Sequence, residues 1–342
     1  MLAVNDMGSP RVSVLLPCRD AQEHLPLAIR GLKLQTFRDY EVVAVNDGSA
    51  DGTGEVLERW AAGDERVRVL HQERRGLAEA LRVGAAECRG ALLARVDADD
   101  LAHGRRLAEQ VSYLDRHPDV AAIGTRVRYF PHGQLGWGAR RYERWLNSLV
   151  NPDQLARDIF VECPIAHPTL MVRRSRFKAV GGYSEVGWAE DYDLILRLHL
   201  AGAQLANVPA ILHFWRERDD RASRVDPRYS AQAFRRCKIH YLRQAELNGR
   251  GSVSIWGAGR VGKDFARALG DEGVTVEAFF DIDPRKIGQE IYGAAVHDAR
   301  DAQRLLGSYL LVAVGAAGAR ELIREELDGA GLQEGAHYRC VA

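Results

Sequence analysis

The stretch Asp97–Asp100 contains three carboxylates within four residues and directly follows the apolar run 91–96. A buried strand that ends in this much negative charge is costly unless a positive group lies beside it. Mg²⁺ and Mn²⁺ take oxygen ligands and commonly bridge carboxylates to substrate phosphates. The stretch therefore predicts a metal–diphosphate site at the carboxyl end of a parallel strand. The alternative is a polar loop with an Asx-turn or a helix cap, because Asp is common at both.

The elements that must position this stretch alternate between strands and helices. Apolar runs predict strands at 12–16, 41–45, 67–70 and 91–96, with helices between them at about 24–35, 54–62 and 77–86. This alternation implies an α/β fold with a mainly parallel central sheet and right-handed crossovers. Ligands on such sheets bind outside the carboxyl ends of the strands, where residues 18–20, 46–49 and 97–100 fall.

Length and composition narrow the class of protein. The chain has 342 residues, enough for two domains. Lysine plus arginine and aspartate plus glutamate each number 47, and this zero formal net charge argues against nucleic acid as a partner. The five cysteines are scattered and lack a CxxC spacing, which is typical of reduced cytoplasmic thiols. No membrane-span length of apolar residues and no signal-peptide segment is present, so we expect a cytoplasmic protein.

A second alternation of strands and helices begins after the polar segment 249–251. It predicts strands at 253–256, 274–280 and 309–314, with helices at 261–269 and about 320–327. We therefore place one domain at residues 1–248 and a second at residues 249–342.

Five motifs occur in order along the first domain. They lie at 12–17, 43–53, 94–100, 166–169 and 189–193. This order resembles that of the family 2 inverting glycosyltransferases, which have a GT-A nucleotide-sugar-binding fold. The stretch 94–100, with Arg106, Gln110 and Gly124 downstream, is similar to bacterial polysaccharide-type members. The resemblance covers about residues 10–225 of the chain.

The resemblance implies a donor site along the carboxyl ends of the first strands. Asp47 would contact the nucleotide base through a ring N–H, and Asp97 would lie near the ribose or the sugar. Asp99 would bind Mn²⁺ or Mg²⁺ with Asp100 beside it, and the metal would neutralise charge on the departing diphosphate. The other residues implied in the nucleotide-sugar pocket are Pro17, Arg19, Asp20, Arg75 and Ala98.

The resemblance also implies a catalytic pair, Asp191 and Glu190. Asp191 would be the general base that takes the proton of the acceptor hydroxyl, and Glu190 would orient it. The alternative for Asp191 is a helix cap. His167 would border the acceptor or make a structural hydrogen bond, and Trp188 would stack on a sugar face or fill the core.

Two positions depart from the family's commonest pattern. Asn46 stands where Asp is frequent, and little harm is expected because Asp47 is retained. Arg82 stands where Asn is frequent and is expected on a solvated helix face. Further along, the segment 215–221 is predicted either to close over the active site and exclude water or to be a solvated charge cluster.

The second domain carries its own motif. Gly257, Gly259 and Gly262 open a predicted helix directly after a strand, and Asp281 ends the next strand. This spacing allows a diphosphate to approach the N-terminus of the predicted helix. It also allows Asp281 to accept a hydrogen bond from a ribose hydroxyl. It predicts a nucleotide or dinucleotide in a small Rossmann-like α/β domain, similar to modules found beside sugar-modifying enzymes. The module spans about ninety residues, half of a full dinucleotide fold, so packing or homo-oligomerisation is the alternative.

The predicted function is metal-dependent transfer of a sugar from a nucleoside diphosphate donor to a hydroxyl of a glycan or lipid-linked acceptor. The resemblance favours a UDP-sugar as the donor. A lipid-linked acceptor would be met by peripheral contact at the inner face of the membrane. The alternatives are a nucleotide-sugar or dinucleotide-binding sensor, or an oxidoreductase-like protein that acts through the second domain. A sugar-1-phosphate nucleotidylyltransferase is disfavoured, because residues 12–20 lack its Gly-rich run with Arg and Lys.

Overall fold

The computed structural model describes residues 8–131, 135–218, 221–301 and 307–342. The chain separates into two compact units. Unit 1 runs through Ala156 and includes Pro164–Val225, whereas unit 2 comprises Arg157–Cys163 and Asp226–Ala342. Residues 226–248 thus pack with the C-terminal unit. The domain boundary between residues 248 and 249 stays a prediction.

Unit 1 is an α/β unit. Its strands are β1 (Val12–Cys18), β2 (Tyr40–Asp47), β3 (Val67–Gln72), β4 (Leu92–Arg95), β5 (Leu101–Ala102), β6 (Val120–Phe130), β7 (Met171–Arg173) and β8 (Gln204–Arg216). Its helices are α1 (Leu25–Lys33), α2 (Thr53–Ala62), α3 (Leu77–Glu87), α4 (Arg106–Arg116), α5 (Trp137–Ser148), α6 (Pro152–Asp158, which ends in unit 2), α7 (Arg174–Ala179), α8 (Glu190–Leu200) and α9 (Ala222–Val225). A 3₁₀ turn at His167–Thr169 precedes β7.

The eight strands form one sheet in the order β3-β2-β1-β4-β7-β6-β8-β5. β1 pairs in parallel with β2 and β4, and β2 pairs in parallel with β3. β7 is antiparallel to β4 and β6, while β6 and β8 are parallel. The predicted mainly parallel central sheet is therefore present, and β1, β2 and β4 all end at one edge.

The central strands are apolar throughout because both faces of the sheet are covered. β1, β2 and β4 are buried along their whole length. Leu16 belongs to the same apolar core as Leu32 of α1, whereas Leu15 and Val45 lie against Gly84 of α3. Burial on both faces explains why these strands read as continuous apolar runs and not as alternating patterns.

Two whole-chain features also bear on the sequence predictions. All five cysteines are buried and free, which fits packing residues better than a disulfide framework. Among the residues that the structure describes, no helix is both long and apolar enough to cross a membrane.

Unit 2 is a second, smaller α/β unit. Its strands are β9 (Ser252–Trp256), β10 (Thr275–Asp281), β11 (Glu290–Ile291), β12 (Ala294–Asp298), β13 (Leu310–Val312) and β14 (Tyr338–Cys340), and its helices include α10 (Ala231–Gln244), α11 (Arg260–Asp271) and α12 (Ala319–Gly329). The sheet order is β11-β12-β10-β9-β13-β14. Apart from β11, neighbouring strands are parallel, so the parallel strands are ordered 3-2-1-4-5 by their position in the chain.

This strand order corrects the expectation that the module is half of a dinucleotide fold. The order 3-2-1-4-5 continues on both sides of the first strand, as in doubly wound sheets. Sequence patterning detects only β9, β10 and β13. It misses β12 and β14, which have five and three residues and no distinct apolar run.

Buried ion pairs explain why residues 157–163 belong to unit 2. The Arg324 guanidinium donates to Asp158 at 2.7 Å and to Glu334 at 2.8 Å. The buried Lys238 ammonium donates to the carbonyl oxygen of Val161 at 2.7 Å. These contacts are charge-assisted and shielded from water, so they fix the segment to the helices of unit 2.

We expect Gly84→Ala to destabilise unit 1, because a Cβ there would clash with Leu15 and lie 2.7 Å from Cγ2 of Val45. Overpacking of this kind costs about 1–3 kcal/mol of unfolding free energy. Thermal and urea unfolding of the purified chain measure the change. The control is Gly138→Ala in α5, where a new Cβ meets no atom within 4 Å and stability should equal or exceed that of the native chain. Native stability in Gly84→Ala would contradict the close approach of α3 to the sheet.

Candidate active site

The acidic loop, residues 97–100, leaves β4 at the carboxyl edge of the sheet. One carboxylate oxygen from each of Asp97, Asp99 and Asp100 lies within 4.8 Å of the others. Burial and the neighbouring carboxylates raise the pKa of Asp99 to about 6, and burial with the charge of Asp97 raises the pKa of Asp100 to about 8. Acids this close oppose one another's ionisation, so the loop is suited to bind a cation.

Asp100 differs from the other two acids because its oxygens are engaged by protein donors. The backbone N–H of Arg216 donates to Oδ1 at 2.7 Å, and His213 Nε2 shares a hydrogen bond with Oδ2 at 2.8 Å. The Asp100 side chain is 1% exposed, against 25% for Asp97 and 20% for Asp99. Asp100 therefore joins the acidic loop to the end of β8, and the more accessible oxygens belong to Asp97 and Asp99.

Asp97 and Asp99, the more accessible acids of the loop, each already pair with an arginine of the protein. Arg95 forms an ion pair with Asp97, and Arg218 Nη2 lies 3.3 Å from Asp99 Oδ2. Arg216 Nε donates to the carbonyl oxygen of Asp99 at 2.8 Å. The donor set consists of carboxylate oxygens, which fits Mg²⁺ or Mn²⁺, and Asp99 is the ligand for which such an ion would compete with Arg218.

Two buried guanidinium groups lie behind the loop. Burial opposes the charged form of Arg95, but the carboxylates of Asp97 and Glu190 outweigh burial and raise its pKa. Burial and the charge of Arg95 lower the pKa of Arg106 to about 9. Arg106 donates to the carbonyl oxygen of Arg95 at 2.7 Å and to Gln110 Oε1 at 3.1 Å. Arg106 and Gln110, noted above only as part of a sequence pattern, thus support the strand end that carries the acids.

Asp47 ends β2 and binds the loop that follows β3. Its Oδ1 accepts from Gln72 Nε2 at 2.8 Å and from the Arg75 N–H at 2.7 Å, and its Oδ2 accepts from the Gly76 N–H at 2.9 Å. The next residue, Gly48, has φ +62°, and a Cβ there would lie 2.5 Å from the backbone nitrogen of Arg74. Asp47 therefore fixes the loop that carries Arg75, and its contact with a base remains a prediction.

The loops after β1 and β2 are joined by hydrogen bonds. Asp20, at φ +46°, accepts from the Ala50 N–H at 2.8 Å, and its own N–H donates to Ser49 Oγ at 3.1 Å. Arg19, Asp20 and Arg75 are exposed. Pro17 and Ala98 are buried, and their place in the donor pocket stays a prediction.

The two departures from the family pattern have clear surroundings. Asn46 Oδ1 accepts from Ser49 Oγ at 2.6 Å, and its amide donates to His71 Nδ1 at 3.1 Å. An Asp side chain could make the first bond, but it could not donate to His71. Arg82 is exposed and pairs with Glu79 at 2.6 Å, which fits the predicted solvated helix face.

The predicted catalytic pair lies at the start of α8 beside the 3₁₀ turn. Glu190 is fully buried, whereas the Asp191 side chain is 18% exposed. The N-cap residue of α8 is Ala189, which makes no side-chain cap hydrogen bond, whereas Asp191 in the first turn accepts from the backbone N–H of Tyr192 at 2.8 Å. Of the two carboxylates, only Asp191 is exposed enough to meet an acceptor.

His167 lies between this pair and a buried tyrosine. Its Nδ1 is 3.8 Å from Glu190 and 4.0 Å from Asp191, and its Nε2 shares a 2.9 Å hydrogen bond with Tyr183 Oη. Burial, together with the charge of Arg95, lowers the pKa of His167 well below its ordinary value. His167 is therefore a neutral, buried hydrogen-bonding group, which favours the structural alternative.

Trp188 is partly exposed and held in one orientation. Its Nε1 donates to Asp193 Oδ1 at 2.9 Å. Arg197 donates to the other oxygen of Asp193 at 2.8 Å and to the carbonyl oxygen of Gly182 at 2.7 Å. The Trp188 indole is thus fixed by a buried carboxylate of α8.

The predicted active-site loop at 215–221 is only partly a loop. Trp215 and Arg216 end β8, and Trp215 stacks on Tyr129 with ring centroids 5.0 Å apart. Arg221 lies 4.5 Å above the Trp215 ring. Residues 219 and 220 lie outside the described residues.

Sequence reasoning gave no role to Arg95, Tyr183 or His213, and it named Arg216 only as part of the segment 215–221. Arg95 stands inside an apolar run, where a buried cation has no periodic signal. His213 and Arg216 contact Asp100 from positions more than a hundred residues away, so only the fold reveals them. Tyr183 lies on an irregular segment and is located only by its bond to His167.

Comparison with known proteins agrees with this geometry. A family model described as glycosyl transferase family 2 matches residues 13–181. EpsE of Bacillus subtilis is 30% identical over 244 residues, 68% of this chain and 84% of EpsE. The amylovoran biosynthesis glycosyltransferase AmsE of Erwinia amylovora is 31% identical over 202 residues, 59% of this chain and 73% of AmsE. The structure of residues 1–349 of TarS from S. aureus superposes with a TM-score of 0.55 at 17% identity, over 76% of this chain and 70% of that one.

The α/β unit with its acidic loop and paired carboxylates defines a GT-A glycosyltransferase. The chain belongs to glycosyltransferase family 2, as the resemblance in the first domain implied.

Arg218→Gln is expected to raise the affinity of the donor-free protein for Mn²⁺ by about two- to fivefold, the value of one partly exposed ion pair. The physical reason is that the guanidinium competes with the cation for Asp99. Isothermal titration or the electron paramagnetic resonance signal of free Mn²⁺ measures the affinity without any catalysis. Arg105→Gln, which removes an exposed arginine paired with Glu109, is the control and should change nothing. Weaker Mn²⁺ binding by Arg218→Gln would show that Arg218 does not compete for Asp99.

Proposed function

We propose that this protein transfers a sugar from a nucleoside diphosphate donor, a UDP-sugar, to a hydroxyl of a glycan or lipid-linked acceptor with inversion at the anomeric carbon. The observation that carries the proposal is that Asp191 is a partly exposed carboxylate at the start of α8, a region joined electrostatically to the acidic loop. Arg95 links the two regions, because it pairs with Asp97 and is also stabilised by the charge of Glu190.

The donor would lie along the carboxyl edge formed by β1, β2 and β4. A structure of TarS in complex with UDP-GlcNAc shares the fold, with a TM-score of 0.57 at 17% identity, and supports a nucleotide sugar at this edge. The exposed Arg19 and Arg75 offer cations to a diphosphate, while Pro17 and Ala98 shape the wall. Asp47 keeps the Arg75 loop in place and has one Oδ2 lone-pair direction left for a base N–H.

A divalent cation, Mn²⁺ or Mg²⁺, would be held by Asp99 and Asp97, with Asp100 positioning the loop from β8. Bound there, it would neutralise charge that develops on the leaving diphosphate. Arg218 is expected to leave Asp99 and meet the diphosphate when the donor binds, because both the cation and the diphosphate favour that exchange.

Asp191 would act as the general base. As the acceptor oxygen forms its bond to the anomeric carbon, its proton passes to Asp191 and the electrons of the breaking carbon–oxygen bond leave with the diphosphate. A single attack of this kind inverts the anomeric centre. The buried Glu190 would hold the local charge balance with Arg95, and Trp188, fixed by Asp193, would present its face to the acceptor sugar.

The acceptor is proposed to belong to polysaccharide assembly. AmsE, a relative with 31% identity, is named for the biosynthesis of amylovoran. An acceptor on a lipid carrier would place the reaction at the cytoplasmic face of a membrane through peripheral contact. Homo-oligomerisation remains a prediction from the sequence, and ligand binding by the C-terminal unit is a separate proposal.

Asp191→Asn should keep donor binding and lose transfer, because the amide keeps the shape of the side chain but cannot take a proton. General-base removal costs roughly 10²- to 10⁴-fold in rate. The measurement is release of UDP from UDP-sugar donors with an acceptor pool from a polysaccharide-producing cell, together with UDP binding by titration calorimetry.

Glu185→Gln is the matched control, since Glu185 is exposed in the same segment and should leave the rate unchanged. Transfer by Asp191→Asn at near the native rate would remove Asp191 from the base role. Failure of the native protein to turn over any nucleotide sugar would refute the proposed function itself.

A further inference from the structure

The C-terminal unit contains a cavity of about 430 Å³ at the carboxyl ends of β9 and β13. From β9 the chain passes to β10 on one side and later returns to β13 on the other, and both neighbours are parallel to β9. The cavity thus lies where the strand order reverses. In open parallel sheets this crevice is where ligands bind.

The three glycines of the Gly257–Gly262 loop have different surroundings. Gly257 has φ +116°, and a Cβ there would lie 2.9 Å from the carbonyl oxygen of Ala313. A Cβ on Gly262 would clash with the carbonyl oxygen of Gly257. These two glycines serve close packing of the loop, α11 and β13. Gly259 has no atom within 4 Å of a Cβ and lines the cavity, so its missing side chain leaves room there.

Two carboxylates, Asp281 and Glu326, and two cations, Arg260 and Lys286, line the cavity. Asp281, at the end of β10, accepts from the Ala258 N–H at 2.9 Å and from Lys286 Nζ at 2.8 Å. Burial opposes ionisation of Asp281, but Lys286 and the backbone donors outweigh burial and lower its pKa. Lys286 and the exposed Arg260 both line the cavity and can pair with an anionic ligand.

Exposed apolar side chains also line the cavity. Ile282 is 65% exposed and Leu322 is 66% exposed, and both line this cavity together with Val261 and Val314. Large aliphatic side chains exposed beside a concave surface mark a place where a flat apolar group is buried on binding. A ligand that suits the whole cavity therefore needs a planar apolar part, hydroxyl donors and an anionic part.

We propose that this cavity is a second ligand site, separate from the transferase site, and that it binds a nucleotide. The phosphates would occupy the space left by Gly259 beside Arg260, the ribose hydroxyls would donate to Asp281, and the base would contact Ile282 and Leu322. The cavity is assigned a binding role and no chemical step.

The test is isothermal titration of the full chain with ADP, UDP and NAD, each in the absence of divalent cations. At least one should bind at a single site with a dissociation constant below about 1 mM. Gly259→Val fills the phosphate space and should weaken that binding at least about tenfold. Gly251→Val is the matched control, because Gly251 also has open space around its Cβ but lies outside the cavity, and it should bind as the native chain does.

Two further variants keep the outcome unambiguous. Lys286→Ala removes a cation from a partly exposed position and should also weaken binding, which covers the case that Gly259→Val folds poorly. Asp99→Asn should bind the nucleotide unchanged, since Asp99 belongs to the transferase site. Absence of binding by all three nucleotides, native affinity in both cavity variants, or loss of binding in Asp99→Asn would overturn the proposal, whatever the transferase activity.

Discussion

The negative charge of the acidic loop is the constraint on which the rest of unit 1 depends. Unit charges separated by 4.8 Å repel by about 3 kcal/mol per pair at an effective dielectric constant of about 20. Burial of the loop adds to this cost, and both effects appear as raised pKa values of Asp99 and Asp100. A loop of this composition is stable only where the fold places positive charge beside it.

The fold supplies that charge from two sides. Arg95 and Arg106 provide it from the buried end of β4 and the start of α4, where helices and strands hold them rigidly. Arg216 and Arg218 provide it from the end of β8, which is joined to the loop through Asp100. The inner cations are buried, whereas Arg218 is partly exposed beside Asp99.

The same electrostatic arrangement distinguishes the two adjacent carboxylates at the start of α8. Glu190 is buried within the influence of Arg95, so its charge is compensated internally. Asp191, one residue later, is partly exposed. Burial and the charge of Arg95 lower the pKa of His167, so His167 adds no positive charge beside these carboxylates.

Local sequence patterns predicted much of this architecture because its central strands are long, apolar and directly followed by polar residues. The pattern at residues 91–100 located both β4 and the acidic loop, and the placement of residues 46–49 at the carboxyl end of β2 agrees with the structure. The contact of His213 with Asp100 could not be predicted, since it depends on the pairing of β8 with β5 and β6. The short strands β12 and β14 could not be predicted either, because their pairing comes from tertiary packing and not from an apolar pattern.

Thermal stabilisation of the purified chain by UDP, GDP and dTDP, each with and without Mn²⁺, tests the central claim most directly. A ligand that binds only the native state raises apparent stability in proportion to its affinity and concentration. If the acidic loop holds a metal–diphosphate, UDP with Mn²⁺ should raise the melting temperature, and UDP or Mn²⁺ alone should raise it far less. Equal stabilisation by UDP with and without Mn²⁺ would contradict the account, because the acidic loop would then have no part in donor binding.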